Sequence, residues 1–288
     1  MPELPEVETV RAGLAEYLTG ARVTSVEVLD ARSLKRHLPG VNDFIAVMTG
    51  ATLQHFSRRG KFLWVPLDKP GLAMVGHLGM SGQMLVRDSG SEPDKLTRVI
   101  LHCTNGSKQL ELRFVDQRIF GSLAIDTLEE VEFGEHIPST VKHIARDPLD
   151  PNFNESAVIS KLRTRSAGIK KLLLDQGIMS GVGNIYADEA LWRSKLHYDR
   201  PANSLSSKKV HELLTHVKDI LAAAVKVGGT SFDEQYKNVN GQSGYFEVSL
   251  NAYGMTGRPC PRCGVTIVRE NWMNRGSHFC PKCQKPAK

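Results

Sequence analysis

The chain has 288 residues, 41% of them apolar, and a formal net charge of +6. That length suits two domains or one large one. No apolar run approaches the roughly 18 residues of a membrane span, and the acidic N-terminus lacks the basic start of an export signal, so a cytoplasmic protein with no membrane partner is expected.

The chain begins Met-Pro-Glu-Leu-Pro-Glu-Val-Glu. Once Met1 is removed, which proline in second place favours, Pro2 carries a secondary amine, whereas every other proline nitrogen is locked in an amide. An α-amino group has a reference pKa of about 8, against about 10.4 for lysine, so far more of it is unprotonated at neutral pH. Glu3 follows immediately and could move protons. An amine attacking a carbon that can become an iminium is Schiff-base catalysis, which needs no cofactor. An ordinary helix start is the alternative, since proline is common there. Pro5 to Leu18 are expected to form that helix: Leu4, Val7, Val10, Leu14, Tyr17 and Leu18 recur at helical spacing, and Gly20 follows as a stop.

From Ala21 to about Asp126 the pattern changes to short β-type runs: Val23–Leu29, Ala51–Phe56, Phe62–Leu67, Leu72–Leu78, Val99–Cys103 and Leu110–Val115. Gly, Pro, Asn and Asp separate many of them, which suggests a β-sandwich or barrel-like core. Arg58-Arg59-Gly60-Lys61 is a basic turn, suited to a phosphate or simply to solvent. His77-Leu-Gly-Met80-Ser-Gly82 places a methionine at a glycine-flanked turn. Asp116-Gln-Arg118-Ile-Phe120-Gly121 places Arg and Phe at a strand end. Wedges that enter a duplex are drawn from these residue types, although Met80 and Phe120 read alone suit a core.

A Pro/Asp-rich stretch around Arg146–Pro151 is expected to be part of a linker. Four helices should follow: Glu155–Arg165, Ile169–Gln176, Ile185–Ser194 and Ser207–Val227. Ser180-Gly-Val-Gly-Asn184 joins the second to the third as a helix-turn-helix-like unit. Asn184 suits an N-cap there, and the turn's N–H groups equally suit a phosphate. Gly228 to Gly244 reads as a long loop, usually functional or mobile in a compact domain.

Five cysteines, an odd number without an export signal, argue against a disulfide framework. Cys260-Pro-Arg-Cys263, sixteen residues, then Cys280-Pro-Lys-Cys283 can surround one tetrahedral Zn²⁺ with no open position, a structural site. Iron of rubredoxin type and redox thiols are the alternatives, and the short basic insert favours zinc. Cys103 is expected to be buried in a strand. Arg258 to Lys288 contains seven Lys/Arg and one acid, so this segment carries the whole net charge of +6. Such clustering is the footprint of a polyanion partner, and Arg275 falls at the tip of the zinc hairpin.

Together these motifs resemble the bacterial formamidopyrimidine-DNA glycosylase family, end to end. The resemblance implies an α+β, bilobal fold: an N-terminal β-sandwich with a leading helix, then a helical helix–two-turn–helix domain with a zinc finger. The implied boundaries are 1–135 for the catalytic sandwich, 136–152 for the linker, 153–228 for the helical domain, 229–250 for a lesion-recognition loop and 251–288 for the zinc finger. It implies a monomer with damaged double-stranded DNA in the cleft, associated with the bacterial nucleoid. Pro2 would attack C1′ of an oxidised purine nucleotide, Glu3 and Lys61 would complete the catalytic set, and Glu6 would support the N-terminus. Met80, Arg118 and Phe120 match void-filling positions. Lys61, His77, Asn184, Tyr253 and Arg275 match phosphate-gripping ones, and Lys170 another basic position of the DNA-binding face. One departure stands out: the family's Asp-Pro-Arg-Arg-Phe-Gly is here Asp116-Gln117-Arg118-Ile119-Phe120-Gly121. The sister family, endonuclease VIII, acts on oxidised pyrimidines, but Leu4 points to the purine branch. A non-catalytic zinc-ribbon DNA-binding protein would leave the Pro2-Glu3 start unexplained.

Overall fold

The computed structural model describes residues 2–229, 239–240 and 250–286. Met1 and all of the expected lesion-loop segment 229–250 except Gly229, Val239, Asn240 and Leu250 lie outside them. The chain divides into two compact units, one of residues 1–143 with 228–245, the other of 144–227 with 246–288. One boundary between the units lies between His143 and Ile144, and Gly228 and Gly229 belong to the first unit.

The first unit opens with α1 (Leu4–Leu18), followed by β1 (Arg22–Val28), α2 (Val41–Met48), β2 (Ser57–Arg59), β3 (Phe62–Pro66), β4 (Leu72–His77), β5 (Gly82–Asp88), β6 (Thr97–Asn105), β7 (Lys108–Asp116), β8 (Ser122–Glu130) and β9 (His136–Pro138). Two antiparallel sheets result, one of four strands in the order β1-β6-β7-β5 and one of five in the order β2-β3-β4-β8-β9. Their inner faces share one core. Leu63, Val65, Met74 and Leu123 of the five-stranded sheet belong to the same buried cluster as Met84, Val99, Leu101, Leu112 and Phe114 of the other, which makes the unit a β-sandwich. Cys103 is buried in β6, as expected, and burial pushes its thiol up to about 12.

Three expectations are corrected. Ala51–Phe56 is not a strand: Thr52 and Leu53 make only isolated bridges to Arg22 and Leu67. Four strands of this unit, β2, β5, β8 and β9, arise where none was expected. The eight-residue α2 was too short to show helical periodicity.

Helix α1 keeps its expected face, with Val7, Val10, Leu14 and Leu18 all buried in the sandwich core. Its exposed side is tied down as well. Glu8 accepts from Arg11 and, at 3.0 Å, from Arg58 Nε of β2. Burial would raise the Glu8 pKa, but its hydrogen bonds to both arginines outweigh that and hold it low.

Val239 returns the chain to this helix. Its carbonyl accepts from Val86 N at 3.0 Å, its side chain is buried in the sandwich core, and it packs over Gly13. A Cβ at Gly13 would lie 2.5 Å from Val239 Cγ2.

The second unit contains α3 (Glu155–Arg163), α4 (Ile169–Leu173), α5 (Asn184–Arg193), α6 (Ser207–Lys226) and the hairpin β10 (Val268–Trp272)–β11 (Arg275–Phe279). Ser206 caps α6 by accepting from Lys209 N. The apolar stripe Val210, Leu213, Leu214, Val217, Ile220 and Leu221 is buried as its spacing predicts. Helix α5 is buried almost all round, Tyr186 to Trp192 without interruption.

A Gly→Ala change inside a helix ordinarily gains about 1 kcal/mol. At Gly13 the sign should reverse, because the stiff Val239 side chain cannot retreat. Urea denaturation of Gly13→Ala should show a loss of about 1–2 kcal/mol, and Val239→Ala in the same chain should recover most of it. A stabilised single variant would show that Val239 does not seat there.

Candidate active site, nucleic-acid-binding residues and zinc centre

Pro2, Glu3 and Glu6 are all buried at the head of α1. The Glu3 backbone N–H donates to the Glu6 carboxylate at 2.8 Å, the return half of a capping box. Glu6 is also walled by Gly229, where a Cβ would stand 2.7 Å from Oε1, and Gly229 has a φ of +83° that other residues rarely adopt. Gly229, three residues past the end of α6, is therefore a glycine for two reasons, its left-handed backbone and its close approach to Glu6. The same helix that packs the core thus fixes the backbone of residues 2 and 3.

Lys61 follows Gly60 (φ 57°) in the tight turn closing β2 onto β3, between the paired Arg59 and Phe62. Arg59 is held by Glu135 at 2.7 Å, and Arg58 by Glu8. Both arginines of the basic turn are thus committed to structural ion pairs. His77 ends β4 opposite Phe62, with ring centroids 4.7 Å apart. Its Nδ1 accepts from Gly79 N at 3.1 Å, which leaves its proton on Nε2. Burial lowers its pKa to about 4, helped by the charges of Arg36, Lys61 and Lys35. His77 is therefore a neutral Nε2–H donor at physiological pH, set among three cations.

Met80 and Phe120 do not enter the core: they are 42% and 46% exposed. The loops that carry them are braced on each other. The Asp116 carboxylate is fully buried and accepts from the N–H groups of Arg118 (3.1 Å), Ile119 (3.0 Å) and Gly121 (2.7 Å), and from Ser81 Oγ (2.5 Å). Gly79, with φ +64°, lets the first loop lie directly on the Phe120 carbonyl, where a Cβ would clash at 2.4 Å. The Arg118 guanidinium stacks over the Phe120 ring at 4.9 Å. Ile119, the departure from the family pattern, takes φ +55°, a strained choice for a β-branched residue that costs about 1–3 kcal/mol. Four hydrogen bonds to one carboxylate, each worth roughly 1.5–3 kcal/mol, exceed that strain. Lys35 Nζ adds a fifth tie by donating to the Ile119 carbonyl at 2.6 Å.

In the second unit the four cysteine sulfurs all lie within 4.8 Å of one another, with Cys263 and Cys280 Sγ 3.5 Å apart. That is too far for a disulfide and suits a tetrahedral zinc tetrathiolate, whose 2.3 Å bonds place sulfurs about 3.8 Å apart. The surrounding donors fit thiolates too. Trp192 Nε1–H points at Cys260 Sγ at 3.4 Å. Burial opposes ionisation of Cys260, yet this contact and the knuckle's backbone N–H groups bring it down to about 7.

Helix α5 fastens the zinc hairpin. Glu189 accepts from the N–H groups of Asn251, Ala252 and Tyr253, at 2.8–3.0 Å for its Oε1. Asp188 accepts from His278 N at 2.9 Å and pairs with Lys170 Nζ at 2.6 Å. Lys170 itself is wholly enclosed, and its ammonium also donates to Ser277 Oγ (2.7 Å) and Gly276 O (3.2 Å). This corrects the expectation of a DNA-facing lysine, because an enclosed ammonium offers no surface to a phosphate. The N-cap expectation for Asn184 is corrected as well. The N-cap is Gly183, and Asn184 Nδ2 instead donates to Gly276 O at 3.0 Å, while its buried Oδ1 has no hydrogen-bond partner among the described residues. Tyr253 packs edge-on against His278 at 4.7 Å. Arg275 is exposed at the hairpin tip, opposite Trp272 across a two-residue turn whose central residues, Met273 (φ 43°) and Asn274 (φ 60°), are both left-handed.

A buried Pro2-Glu3 pair at the head of a capped helix, two braced projecting loops and a four-cysteine hairpin mark a protein of the zinc-finger class. Comparison with known proteins gives the family. The Formamidopyrimidine-DNA glycosylase N-terminal domain matches residues 1–123, the Formamidopyrimidine-DNA glycosylase H2TH domain residues 144–235, and the zinc finger found in FPG and IleRS residues 257–286. The chain is 53% identical to formamidopyrimidine-DNA glycosylase of Leifsonia xyli over 99% of its own length and 100% of the relative's. It is 50% identical to that of Streptomyces coelicolor over 99% and 98%. A solved Lactococcus lactis Fpg variant in complex with Fapy-dG-containing DNA is similar with a TM-score of 0.85 at 32% identity, covering 99% of this chain and 100% of that one. The chain belongs to the formamidopyrimidine-DNA glycosylase family, and its four cysteines hold one structural zinc. Asp188, Glu189 and Gly229 act through partners that only the fold brings near, and Asp116 binds its own loop, a role its place in the motif does not show.

The His77 arrangement sets a pH window. Its folded pKa lies below the ordinary value near 6.5, so the unfolded chain binds more protons between about pH 6.5 and 4. Stability should rise with pH across that window and be complete above it. His77→Gln should flatten this slope in urea titrations, and the His77 imidazole resonances of the folded protein should not shift between about pH 8 and 5.5. A midpoint near 6.5 would contradict the burial argument.

Proposed function

We propose that this protein is a bifunctional base-excision repair enzyme that flips out and excises oxidised purines, then cleaves the abasic strand. The observation that carries the proposal is the Pro2-Glu3 backbone held at the head of α1 by Glu6. Solved relatives support the substrate class, since Lactococcus lactis Fpg has been captured with an abasic-site DNA and MutM with DNA containing carbocyclic 8-oxo-G. A nucleotide's C1′ is unreachable within the stack, so flipping precedes chemistry.

The Pro2 nitrogen attacks C1′ and the base departs. The sugar ring opens to an iminium, and elimination on the β and then the δ side severs both flanking phosphodiesters. A secondary amine suits this task because its iminium has no N–H to lose and stays cationic, a permanent electron sink. Glu3 moves protons at the sugar, Lys61 assists beside it, and Glu6 holds the backbone that presents Pro2. Met80, Arg118 and Phe120 fill the void left by the flipped nucleotide, with Arg118 toward the orphaned base. Lys61, His77, Asn184, Tyr253 and Arg275 grip phosphates. A neutral His77 does so as a hydrogen-bond donor, and its contact should not weaken between pH 6 and 8, a range well above its pKa of about 4. Lys170 acts indirectly by seating the hairpin that carries Arg275. The enzyme works as a monomer in the cytoplasm, on DNA of the nucleoid; among the described residues no helix is long and apolar enough to cross a membrane.

The test is single-turnover cleavage of duplexes carrying 8-oxoguanine opposite cytosine or an oxidised thymine. The 8-oxoguanine strand should be cut to a gap with phosphate at both ends, and Glu3→Gln should slow base excision by roughly 10²–10⁴-fold. Preference for the oxidised thymine would transfer the protein to the pyrimidine branch. Tight binding without cleavage of either duplex would leave a DNA-binding protein alone.

A further inference from the structure

The basic C-terminal segment is only partly used by the site above. Arg275 stands at the hairpin tip, Arg262 lies 4.1 Å over the Trp192 ring and donates to its carbonyl, and Arg269 bonds Asn271. Lys282 and Lys285 do none of this. They lie at the knuckle end of the hairpin, past the end of β11, whose first residue is Arg275.

There they line a groove of about 640 Å³ together with Lys195, Arg200 and Lys209, and no acidic residue lines it. Among the described residues Lys209 has a carboxylate at ion-pair distance, Glu212 at 2.8 Å, and Lys195, Lys282 and Lys285 have none. Cys283 forms part of the wall, and a zinc tetrathiolate carries a formal charge of −2. Counting that charge and Glu212 against the five cations still leaves a net +2, so the lysines exceed what the metal centre needs.

The groove is also rigidly framed. Gln284 is enclosed; its Oε1 accepts from Cys280 N at 3.0 Å and its Nε2 donates to the Leu196 carbonyl at 2.9 Å. This bridge binds the knuckle to the segment that follows α5. Lys195 is turned by a left-handed backbone, φ 54°, and its N–H donates to Trp192 O. Cations from the end of α5, the start of α6 and the knuckle are thus held around one opening.

We propose that this groove is a second phosphate-binding site, which takes the sugar-phosphate backbone of duplex DNA beyond the segment that holds the damaged nucleotide. Lysines act as point charges without a fixed fork, which suits sequence-independent backbone contact, not base readout. The site would lengthen the enzyme's hold on undamaged DNA without touching the chemistry.

The test uses the full-length, zinc-loaded protein and a Lys195→Gln/Lys282→Gln/Lys285→Gln variant. Binding to undamaged duplexes of about 12 and about 30 base pairs is followed by fluorescence anisotropy between about 50 and 200 mM salt. The wild type should show the steeper salt dependence on the longer duplex. The variant should lose that excess, by roughly 2.7 in the log–log slope for three phosphate contacts, or about 40-fold across this range. Its excision rate on a short lesion duplex, its zinc content and its circular dichroism should match the wild type. If the triple variant misfolds, Lys195→Gln and Lys285→Gln singly should each remove about 0.9 from the slope. Equal slopes on the two lengths in the wild type, or an unchanged slope in the variant, would overturn the proposal. Equal weakening on both lengths would also do so, by placing these lysines in the lesion grip. Because undamaged DNA is the probe, the result stands apart from whether excision is observed.

Discussion

The hydrogen bond from the Glu3 backbone to the Glu6 carboxylate is a short-range contact with long-range support. It exists because α1 starts at Leu4, and α1 starts there because Val7, Val10, Leu14 and Leu18 must face the sandwich core. Arg58 reaches Glu8 from the strand that leads to Lys61, Val239 closes over Gly13, and Gly229 closes over Glu6. Each contact is modest alone. Together they leave the first residues of the chain, normally the loosest part of a protein, with one position. A nucleophile at an N-terminus needs that, since proximity and orientation supply much of a rate enhancement.

The second unit solves a different problem, how to hold a small hairpin that has little apolar core. Its apolar cluster is confined to Trp192, Ala252, Ile267 and the cysteines, with few partly buried neighbours. Zinc supplies part of the stability, and α5 supplies the rest through Asp188, Glu189 and Asn184. The enclosed Lys170–Asp188 pair need not stabilise relative to an apolar pair, but breaking it would cost about 3–5 kcal/mol. Its value is geometric: it fixes Gly276 and Ser277, the residues just after Arg275. The polar groups of α5 therefore decide where the hairpin tip points.

Much of this was legible in the order of residues, and the gaps have physical causes. Helices α1 and α6 declare themselves because long amphipathic faces repeat a single period, and the cysteine spacing is a ligand set by itself. Strand β8 hid because its second half, Asp126 to Glu130, is acidic and largely outside the core. Met80 and Phe120 have core-type side chains, and only the bracing of their loops reveals that they project. Asn184 carries the chemistry of a cap, but a carbonyl 92 residues away claims its amide. Lys170 looked like a surface cation because nothing near it in sequence announces Asp188. Asp116 sat in plain view within the Arg118 motif, yet its role as the loop's organising anion required knowing that four donors converge on it.

The central claim is that the amine of Pro2 is the group that meets the DNA. It is tested most directly by adding borohydride during turnover of an 8-oxoguanine duplex, digesting the trapped complex and locating the DNA remnant by mass spectrometry. The account predicts a single modified peptide, the one that begins at Pro2, with Met1 absent. A remnant on Lys61 or another lysine would contradict it, as would undiminished trapping in protein that retains Met1.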